Sequence, residues 1–217
     1  MAHPSLNREV SMNEPVREGV SQAKVETETR IKKKSVLREY AEAILIAIIL
    51  ALLIRTFVVQ AFKIPSGSMI PTLQVGDHIL VNKFIYYFRD PQRGDVIVFK
   101  YPWDESRDFI KRVIAVGGEE VAMKDRIVFV DGRPLVEPYA IYSEARVPGG
   151  PGYEYGPVVV PPGSLFVMGD NRDNSQDSRF WGFLKSEKIR GKSFLIYWSW
   201  DSEKGRLRWW RLGRLIP

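Results

Sequence analysis

The sequence contains no cysteine, and this absence excludes several kinds of chemistry. Without cysteine there is no disulfide scaffold, no thiolate nucleophile and no cysteine ligand for a metal ion. Histidine is almost as scarce, because His3 and His78 are the only two among 217 residues. We therefore expect no multi-histidine metal site and no cofactor, and any catalysis by histidine would have to use His78.

Positive charge is in excess, but the features typical of nucleic-acid binding are missing from the sequence. The formal net charge is +6 at pH 7, which indicates contact with an anionic surface, either lipid or nucleic acid. No basic helix and no known nucleic-acid-binding motif is visible, so lipid is the preferred partner and nucleic acid is not expected. The 217 residues suffice for one domain with its own core, an anchor and a tail, and they specify no oligomeric state.

Long hydrophobic runs are also rare, and only one is long enough to matter for a membrane. Residues 1–36 are polar and charged, which predicts a disordered cytoplasmic tail. An apolar segment follows, and a helix over about 37–60 would be long enough to span a bilayer at about 1.5 Å per residue. This predicts one transmembrane helix. A buried core helix is the alternative, because the purely apolar part is short.

The charges that flank this segment predict its orientation. More lysine and arginine residues lie shortly before it than after it, so the positive-inside rule places the N-terminus in the cytoplasm and residues 61–217 outside. A cleaved signal peptide is the competing interpretation, with residues 59–61 (Val-Gln-Ala) as its processing site. The long preceding tail and the charge of Arg55 inside the apolar stretch favour an uncleaved anchor.

After residue 60 the sequence is typical of β-structure. Short runs rich in β-branched and aromatic residues occur at 79–84, 96–100, 109–116, 126–130, 164–168 and 193–200. Asp131-Gly132, which follows one of these runs, is a hairpin turn signal. Residues 147–163 are crowded with proline and glycine, which predicts a loop within an insertion over about 117–163.

Four of the six tryptophans lie near the C-terminus among several arginines: Trp198, Trp200, Trp209 and Trp210. Tryptophan with arginine suits a membrane interface, so we predict that this region helps to hold the domain on lipid. For Trp198 and Trp200 the alternative is a place in the core of the last strand.

The first segment whose residues are suited to catalysis is the run Ile-Pro-Ser-Gly-Ser-Met-Ile-Pro-Thr-Leu at 64–73. Two prolines bracket Ser66-Gly67-Ser68, so this run is neither helix nor regular strand. Glycine lets the backbone approach a substrate closely, and such a loop can present a hydroxyl surrounded by N–H groups, as an oxyanion site requires. The alternative is a plain surface turn, because serine and glycine are common in turns.

A serine hydroxyl needs a base before it becomes a nucleophile. His78 lies on or beside a strand with no obvious orienting partner. In a strand, Lys111 shares a face with Phe109 and Val113, and these apolar surroundings would lower the pKa of its amine. Arg112 stays protonated, so only Lys111 of the adjacent pair can be a base. The alternative is a lysine at a sheet edge with its stem on apolar neighbours.

A third, densely polar run begins at Asp170. It has some likeness to a calcium-binding loop, but that motif requires glycine at its sixth position and glutamate at its twelfth, where Ser175 and Trp181 stand. We therefore reject a calcium site. Arg172 and Arg179 among three aspartates predict an internal ion-pair network, and Ser175 could orient a neutral lysine amine through a hydrogen bond.

Taken in chain order, these segments resemble the bacterial type I signal peptidases, also called leader peptidases. Pro-Ser-Gly-Ser-Met-x-Pro-Thr-Leu at 65–73 resembles the nucleophile box of that family, and residues 76–83 and 93–99 resemble its strand boxes. Phe-Ile-Lys-Arg-Val at 109–113 resembles the lysine box, and residues 169–179 resemble the last box. The order of all these boxes after a positive-inside anchor is far more specific than any one of them.

The resemblance implies a fold and a set of site residues. The fold would be a mainly antiparallel β catalytic domain with a small β-rich insertion, preceded by one N-terminal transmembrane helix. Ser68 would be the nucleophile and Lys111 the general base. The oxyanion and supporting residues would be Ser66, Ser175, Asp177 and Arg179. The apolar walls that bind the substrate would be formed by Phe62, Ile64, Met69, Leu73, Ile79, Val98 and Ile110.

The function implied by the resemblance is that of a membrane-bound serine endopeptidase. It would remove signal peptides from exported preproteins after small residues, on the outer face of the bacterial cytoplasmic membrane. Its partners would be signal peptides and the lipid bilayer. The nearest rivals are the self-cleaving SOS repressors, which lack an anchor and carry a DNA-binding module, and a membrane-tethered β module without catalysis.

Overall fold

The computed structural model describes residues 36–143 and 154–217 of the chain. The predicted tail, except for its last residue, and much of the proline- and glycine-rich loop predicted at 147–163 therefore lie outside the described residues. Contacts divide the chain into two units, one that ends at Glu42 and one over Ala43–Pro217. In the first unit, Arg38 forms an exposed ion pair with Glu42, one helical turn away, at 3.1 Å.

The N-terminal helix is shorter than the sequence predicted. Helix α1 covers Val36–Leu53 and is followed by a single π-helical turn over Ile54–Val58. Three charged side chains lie in its first two turns: Arg38, Glu39 and Glu42. Across residues 36–143 and 154–217, no helix is both long enough and apolar enough to cross a membrane. The predicted transmembrane helix over 37–60 is thus not confirmed.

Two antiparallel sheets form the rest of the described chain, which confirms the prediction of mainly antiparallel β-structure. The strands are β1 (Val59–Lys63), β2 (Asp77–Asn82), β3 (Val96–Tyr101), β4 (Asp104–Val116), β5 (Glu120–Lys124), β6 (Ile127–Val130), β7 (Arg133–Pro134), β8 (Tyr155–Val159), β9 (Ser164–Met168), β10 (Leu184–Lys185), β11 (Ile189–Asp201), β12 (Arg206–Leu207) and β13 (Arg214–Leu215). Short helical turns connect them at Gly67–Met69, Ile85–Tyr87, Arg172–Asn174, Ser178–Trp181 (α2), Ser186–Lys188 and Trp209–Arg211.

The larger sheet carries the long strands. Its neighbouring strands follow the order β1-β2-β11-β3-β4-β9-β10, and β12 and β13 pair with β11. Strand β3 lies between β11 and β4, so four consecutive residues, 96–99, are buried on both faces. Between the edge strand β1 and β11, β2 alternates between buried and half-buried residues, and it directs Ile79 and Val81 into the core.

The smaller sheet has the order β7-β6-β5-β8 and lies within the predicted insertion at 117–163. Asp131 and Gly132 connect β6 to β7, as the hairpin signal predicted. Their φ angles are 49° and 69°, which is the left-handed conformation that two-residue hairpin turns favour.

The C-terminal tryptophans are exposed. The exposed fractions are 41% for Trp198, 42% for Trp200, 72% for Trp209 and 64% for Trp210. Trp198 and Trp200 belong to β11, but their side chains are not part of its core face. The alternative that placed these two in the core is therefore wrong.

A buried ion pair and backbone hydrogen bonds hold the connection between β1 and β2. The Ile64 N–H donates to the carbonyl of Asp77 at 2.8 Å, and the Gly76 N–H donates to the carbonyl of Ile64 at 3.0 Å. Arg211 donates from Nη2 to Oδ2 of Asp77 at 2.5 Å and to the carbonyl of Thr72 at 2.9 Å. The loop that carries Ser68 is therefore fixed at both of its ends.

Candidate active site

Ser68 lies on the helical turn Gly67–Met69, inside the proline-bracketed loop. Its side chain is buried, with 7% of the residue exposed. The Asn171 N–H donates to the carbonyl of Ser68 at 3.0 Å, and Nδ2 of Asn171 donates to the carbonyl of Gly67 at 3.1 Å. The third polar run therefore fixes the backbone on which the serine stands.

Lys111 reaches this serine from β4. Its Nζ lies 2.8 Å from Oγ of Ser68 and 2.9 Å from the carbonyl oxygen of Ile110. Only 3% of Lys111 is exposed, so the amine is held away from water. The structure thus brings together the two residues that the sequence predicted as nucleophile and base, 43 positions apart in the chain.

Burial lowers the pKa of Lys111 to about 8. Desolvation is the main cause, because it disfavours the charged ammonium, and the positive charge of Arg179 acts in the same direction. The carboxylates of Asp177 and Asp170 oppose this effect and raise the pKa. A lysine amine of this pKa is partly unprotonated near neutral pH, and a general base needs that state.

Ser66 lies next to the serine hydroxyl. The two hydroxyl oxygens, Oγ of Ser66 and Oγ of Ser68, are 3.5 Å apart, and Ser66 is exposed to the cleft. An oxyanion site requires donors beside the attacking oxygen, and that role for the Ser66 hydroxyl and the Ser68 N–H stays a prediction.

Ser175 is close to the serine loop but makes no hydrogen bond among the described residues. Its hydroxyl is buried without a partner, so the predicted hydrogen bond to Lys111 is not observed. A Cβ atom added to Gly169 would lie 2.3 Å from Oγ of Ser175 and 2.5 Å from the carbonyl oxygen of Ser68. Only glycine therefore fits at position 169, a constraint that sequence reasoning missed.

Asp177 and Arg179 form an ion pair in which both carboxylate oxygens of Asp177 accept hydrogen bonds from Arg179. Nε and Nη2 of Arg179 donate to the two carboxylate oxygens of Asp177 at 2.8 Å and 2.9 Å. Asp177 also accepts from the Gly169 N–H at 3.1 Å, and Arg179 donates to the carbonyl of Arg172 at 2.5 Å. This pair holds the polar run against the residue that follows β9, and the bracing role for Asp177 and Arg179 stays a prediction.

A second buried ion pair joins Arg112 to Asp170, and this pairing was not predicted from the sequence. Nε and Nη2 of Arg112 donate to the carboxylate of Asp170 at 2.9 Å and 2.8 Å. The hydroxyl of Thr72 donates to the same carboxylate at 2.5 Å. The strand that carries Lys111, the serine loop and the polar run are therefore joined at one carboxylate. The only available signal was the arginine that directly follows the lysine.

An open cleft of about 310 Å³ ends at the serine and lysine. Its lining residues are Pro65, Ser66, Ser68, Arg107, Asp108, Phe109, Ile110, Lys111, Asn174 and Gln176. Sequence reasoning missed the polar part of this lining, because Arg107, Asn174 and Gln176 have no local pattern that marks them as cleft residues.

Of the seven apolar residues predicted to bind substrate, only Ile110 lines this cleft. All seven belong to one apolar cluster, in which Phe62 is half-buried and the others are buried. Met69, Leu73 and Ile79 are 0% exposed, so in this structure they contribute no surface to the cleft. Their predicted direct contact with substrate stays a prediction.

His78 lies away from the cleft lining. It stands on β2, where it pairs with Lys63 of β1 and Trp198 of β11. Its ring contacts the ring of Tyr197, with 6.0 Å between ring centroids. Within residues 36–143 and 154–217, no group of three or more histidine, aspartate or glutamate side chains could hold a metal ion.

The fold and the site together define a protein that is equipped for nucleophilic catalysis. An antiparallel β domain presents a serine hydroxyl next to a buried lysine amine, at the end of an open cleft. A hydroxyl with an adjacent base of lowered pKa is the arrangement that nucleophilic catalysis requires.

Comparison with known proteins identifies the family. A crystal structure of a signal peptidase I from Enterococcus faecalis V583 aligns with 48% of this chain and 97% of its own, at 30% identity and a TM-score of 0.41. A probable signal peptidase I-2 from Synechocystis sp. is 43% identical over 166 residues, which cover 74% of this chain and 72% of the relative. A signal peptidase I from Leptolyngbya laminosa is 40% identical over 194 residues, 86% of this chain and 87% of the relative.

The family model described as signal peptidase, peptidase S26, matches residues 37–198. Together with these relatives, this match shows that the chain belongs to the signal peptidase family, peptidase S26, and is a serine endopeptidase.

Proposed function

We propose that this endopeptidase removes signal peptides from exported preproteins through an acyl-enzyme on Ser68, with Lys111 as the general base. The single observation that carries the proposal is the 2.8 Å contact between Nζ of Lys111 and Oγ of Ser68 in a buried setting. A lysine held in that setting is a stronger base candidate than His78, which lies on β2 outside the cleft lining.

In the first half of the reaction, Oγ of Ser68 attacks the scissile carbonyl while Nζ of Lys111 accepts the hydroxyl proton. The hydroxyl of Ser66 and the N–H of Ser68 stabilise the negative charge on the carbonyl oxygen. The intermediate then collapses, and the C–N bond breaks as Lys111 returns the proton to the leaving amine. In the second half, Lys111 takes a proton from water, the resulting hydroxide attacks the acyl carbon, and Ser68 leaves with that proton.

The substrate is bound as an extended chain along the cleft. Strand β9 pairs with β4 only from Arg112 to Val116, so the edge of β4 on that side is open at the cleft. An extended peptide can add to such an edge through its backbone. Ser68 and Lys111 are 7% and 3% exposed, which leaves little room beside the nucleophile. This favours small residues before the cut, as in an Ala-x-Ala site.

The proposal places the enzyme at the bacterial cytoplasmic membrane as a single-pass protein, with its N-terminus in the cytoplasm and the β domain on the outer face. Its support is the apolar surface of α1 from Ile44 to Leu53, where every large aliphatic side chain is at least 50% exposed. The exposed tryptophans at 198, 200, 209 and 210 suit the headgroup region of the same bilayer.

The test uses the full chain in lipid vesicles with a preprotein that carries an Ala-x-Ala site. We expect one cut after the second alanine, and a substrate with a bulky residue at that alanine should resist cleavage. A serine-directed acylating inhibitor should add its mass to Ser68 in wild type and in a Ser186→Ala control, but not in Ser68→Ala. Labelling of Ser68→Ala equal to wild type would contradict the proposed nucleophile.

A further inference from the structure

One charged side chain of the cleft has no role in the reaction described above. Phe109 and Lys111 alternate along β4 and stand on one face of the strand, and Arg107 precedes them at the irregular pairing of β4 with β3. All three line the cleft, with Lys111 at the catalytic end and Arg107 at the rim. Arg107 and Lys111 are four residues apart along β4, which is about 13 Å at roughly 3.3 Å per residue.

Aromatic rings hold the guanidinium of Arg107 at this rim. Cζ of Arg107 lies 5.2 Å from the centroid of the Phe109 ring and 5.7 Å from that of Tyr101. These two rings are stacked, with 4.2 Å between centroids and an interplanar angle of 9°. A cation that rests on two stacked rings is positioned without being neutralised.

Arg107 forms no ion pair within the part of the chain that the structure describes, although its charge interacts with the exposed carboxylate of Asp104. Asp104 also accepts hydrogen bonds from the N–H and hydroxyl of Ser106 at 3.1 Å and 2.6 Å, and Glu105 pairs with Lys100 and Lys188. Asp108, the acidic residue of the cleft lining, pairs instead with Arg190 at 3.5 Å. The amine of Lys111 is buried against Ser68. The rim of the cleft is therefore positive at Arg107.

We propose that Arg107 is a specificity-determining residue that binds a carboxylate of the peptide substrate about four residues from the scissile bond. The proposal rests on the proposed function, because it requires an extended peptide along the open edge of β4. Arg107 does not touch the reacting atoms, so it changes which sequences are preferred and leaves the chemical step to Ser68 and Lys111.

The expected preference is modest and sensitive to salt. Partly exposed ion pairs of this kind change affinity by about 2–5-fold, and ionic screening weakens them. An acidic residue at the matching position should therefore raise kcat/KM by about 2–5-fold over glutamine at low salt, whereas lysine there should lower it.

The experiment is a peptide series around one Ala-x-Ala site whose other residues are neutral. Glutamate, glutamine or lysine is placed in turn at each of roughly six positions on either side of the cut, and kcat/KM is measured at low and high salt. The readout is the glutamate-to-lysine ratio at each position. The enzymes are wild type, Arg107→Gln, Arg107→Lys, Arg107→Glu and a matched control, Arg133→Gln, on an exposed residue of β7 outside the cleft lining.

We expect wild type, Arg107→Lys and Arg133→Gln to prefer glutamate at one position about four residues from the cut. That ratio should fall to about one in Arg107→Gln and invert in Arg107→Glu. The side of the cut on which the preference falls reports the direction of the bound peptide. A ratio of one in wild type, or the same preference in Arg107→Gln, would overturn the inference while leaving the peptidase intact. Failure of wild type to cut even the neutral peptide would instead overturn the proposed function.

Discussion

Lys111 and Arg112 are neighbours in β4, but their cationic groups lie on opposite faces of the strand and contact different kinds of partner. Both side chains are almost fully buried, at 3% and 2% exposed. Arg112 meets the carboxylate of Asp170 through two hydrogen bonds, so its charge is matched. Lys111 instead contacts a hydroxyl and a carbonyl oxygen, which are neutral partners.

The two cations differ in side-chain chemistry as well as in partner, because a guanidinium keeps its proton in proteins whereas a buried lysine amine can lose it. Without an adjacent carboxylate, desolvation lowers the pKa of Lys111 to about 8. Arg112 pairs with Asp170 and so serves as a structural cation that joins three segments of the site. One strand thus supplies a candidate base on one face and the support for that base on the other.

The largest expected effect is loss of activity in Lys111→Arg. The substitution keeps the length and the charge of a cation but removes the ability to give up a proton. We expect single-turnover cleavage of a preprotein to fall by at least about 10²–10⁴-fold, the usual contribution of a general base. Circular dichroism checks that the variant is folded. A folded variant that retains more than about a tenth of the wild-type rate would show that Lys111 is not the base.

Arg112→Met should destabilise the fold strongly, because Asp170 would be left buried and without its cation. Removing one partner of a buried pair costs about 3–5 kcal/mol in the free energy of unfolding. Urea denaturation measures this loss. The control is Arg93→Met, which breaks an exposed pair with Glu119 and should cost at most about 1 kcal/mol. Equal losses in the two variants would contradict the structural role of the buried pair.

Lys111→Met should change the free energy of unfolding in the opposite direction to Arg112→Met. We expect it to stabilise the folded state near pH 7. The pKa of Lys111 is lowered from 10.5 to about 8, so the folded state bears the cost of a buried ammonium that methionine does not have. We expect the free energy of unfolding to rise by roughly 1–3 kcal/mol relative to wild type. In wild type the same cost should disappear as the pH rises from about 8 towards 10.5, because only the unfolded state then binds the proton. Lower stability of Lys111→Met at pH 7 would contradict this account.

The pH dependence of cleavage should follow the same amine. Below about pH 8 the protonated fraction of Lys111 grows, so kcat/KM should fall as the pH is lowered and reach a plateau above about pH 8. The measurement is kcat/KM between pH 6 and pH 10 on a substrate without titratable groups near the cut. A profile that is flat from pH 6 to pH 9 would exclude a base with this pKa.

The smallest effect is expected for His78→Ala. His78 stands on β2 outside the cleft lining, so most of the cleavage rate should remain. The comparison of kcat/KM with wild type is the measurement, and thermal unfolding accounts for any loss of folded protein. Turnover that disappears in a normally folded variant would favour a histidine mechanism over Lys111.

Local patterns predicted the parts of the molecule that depend on local physics. Short runs rich in β-branched and aromatic residues predicted many of the strands, and Asp131-Gly132 predicted the turn between β6 and β7, because strand propensity and φ preference act over a few residues. Ser68 and Lys111 were found because each has a local signature, a proline-bracketed loop and a lysine among apolar neighbours. The helix was predicted too long, since its end depends on the pairing of β1 with β2 and not on the apolar run itself.

The cleft could not be predicted in the same way. The apolar residues expected to bind substrate turned out to pack with one another, because the apolar pattern of a strand shows which face is buried but not whether a ligand covers it. Arg107, Asn174 and Gln176 come to the lining from β4 and the polar run, and nothing in their neighbours in the chain marks them.

The sequence by itself determined the chemical alternatives: without cysteine, and with His78 poorly placed, a serine nucleophile was left with lysine as its base. Only the tertiary structure decided the pKa of Lys111 and therefore the protonation state of its amine. The pKa of Lys111 depends on the absence of a contacting carboxylate and on the distances to Asp177, Asp170 and Arg179, which come from a segment about 60 residues away in the chain. Electrostatic energies depend on distance and solvent exposure, and both are properties of the folded chain.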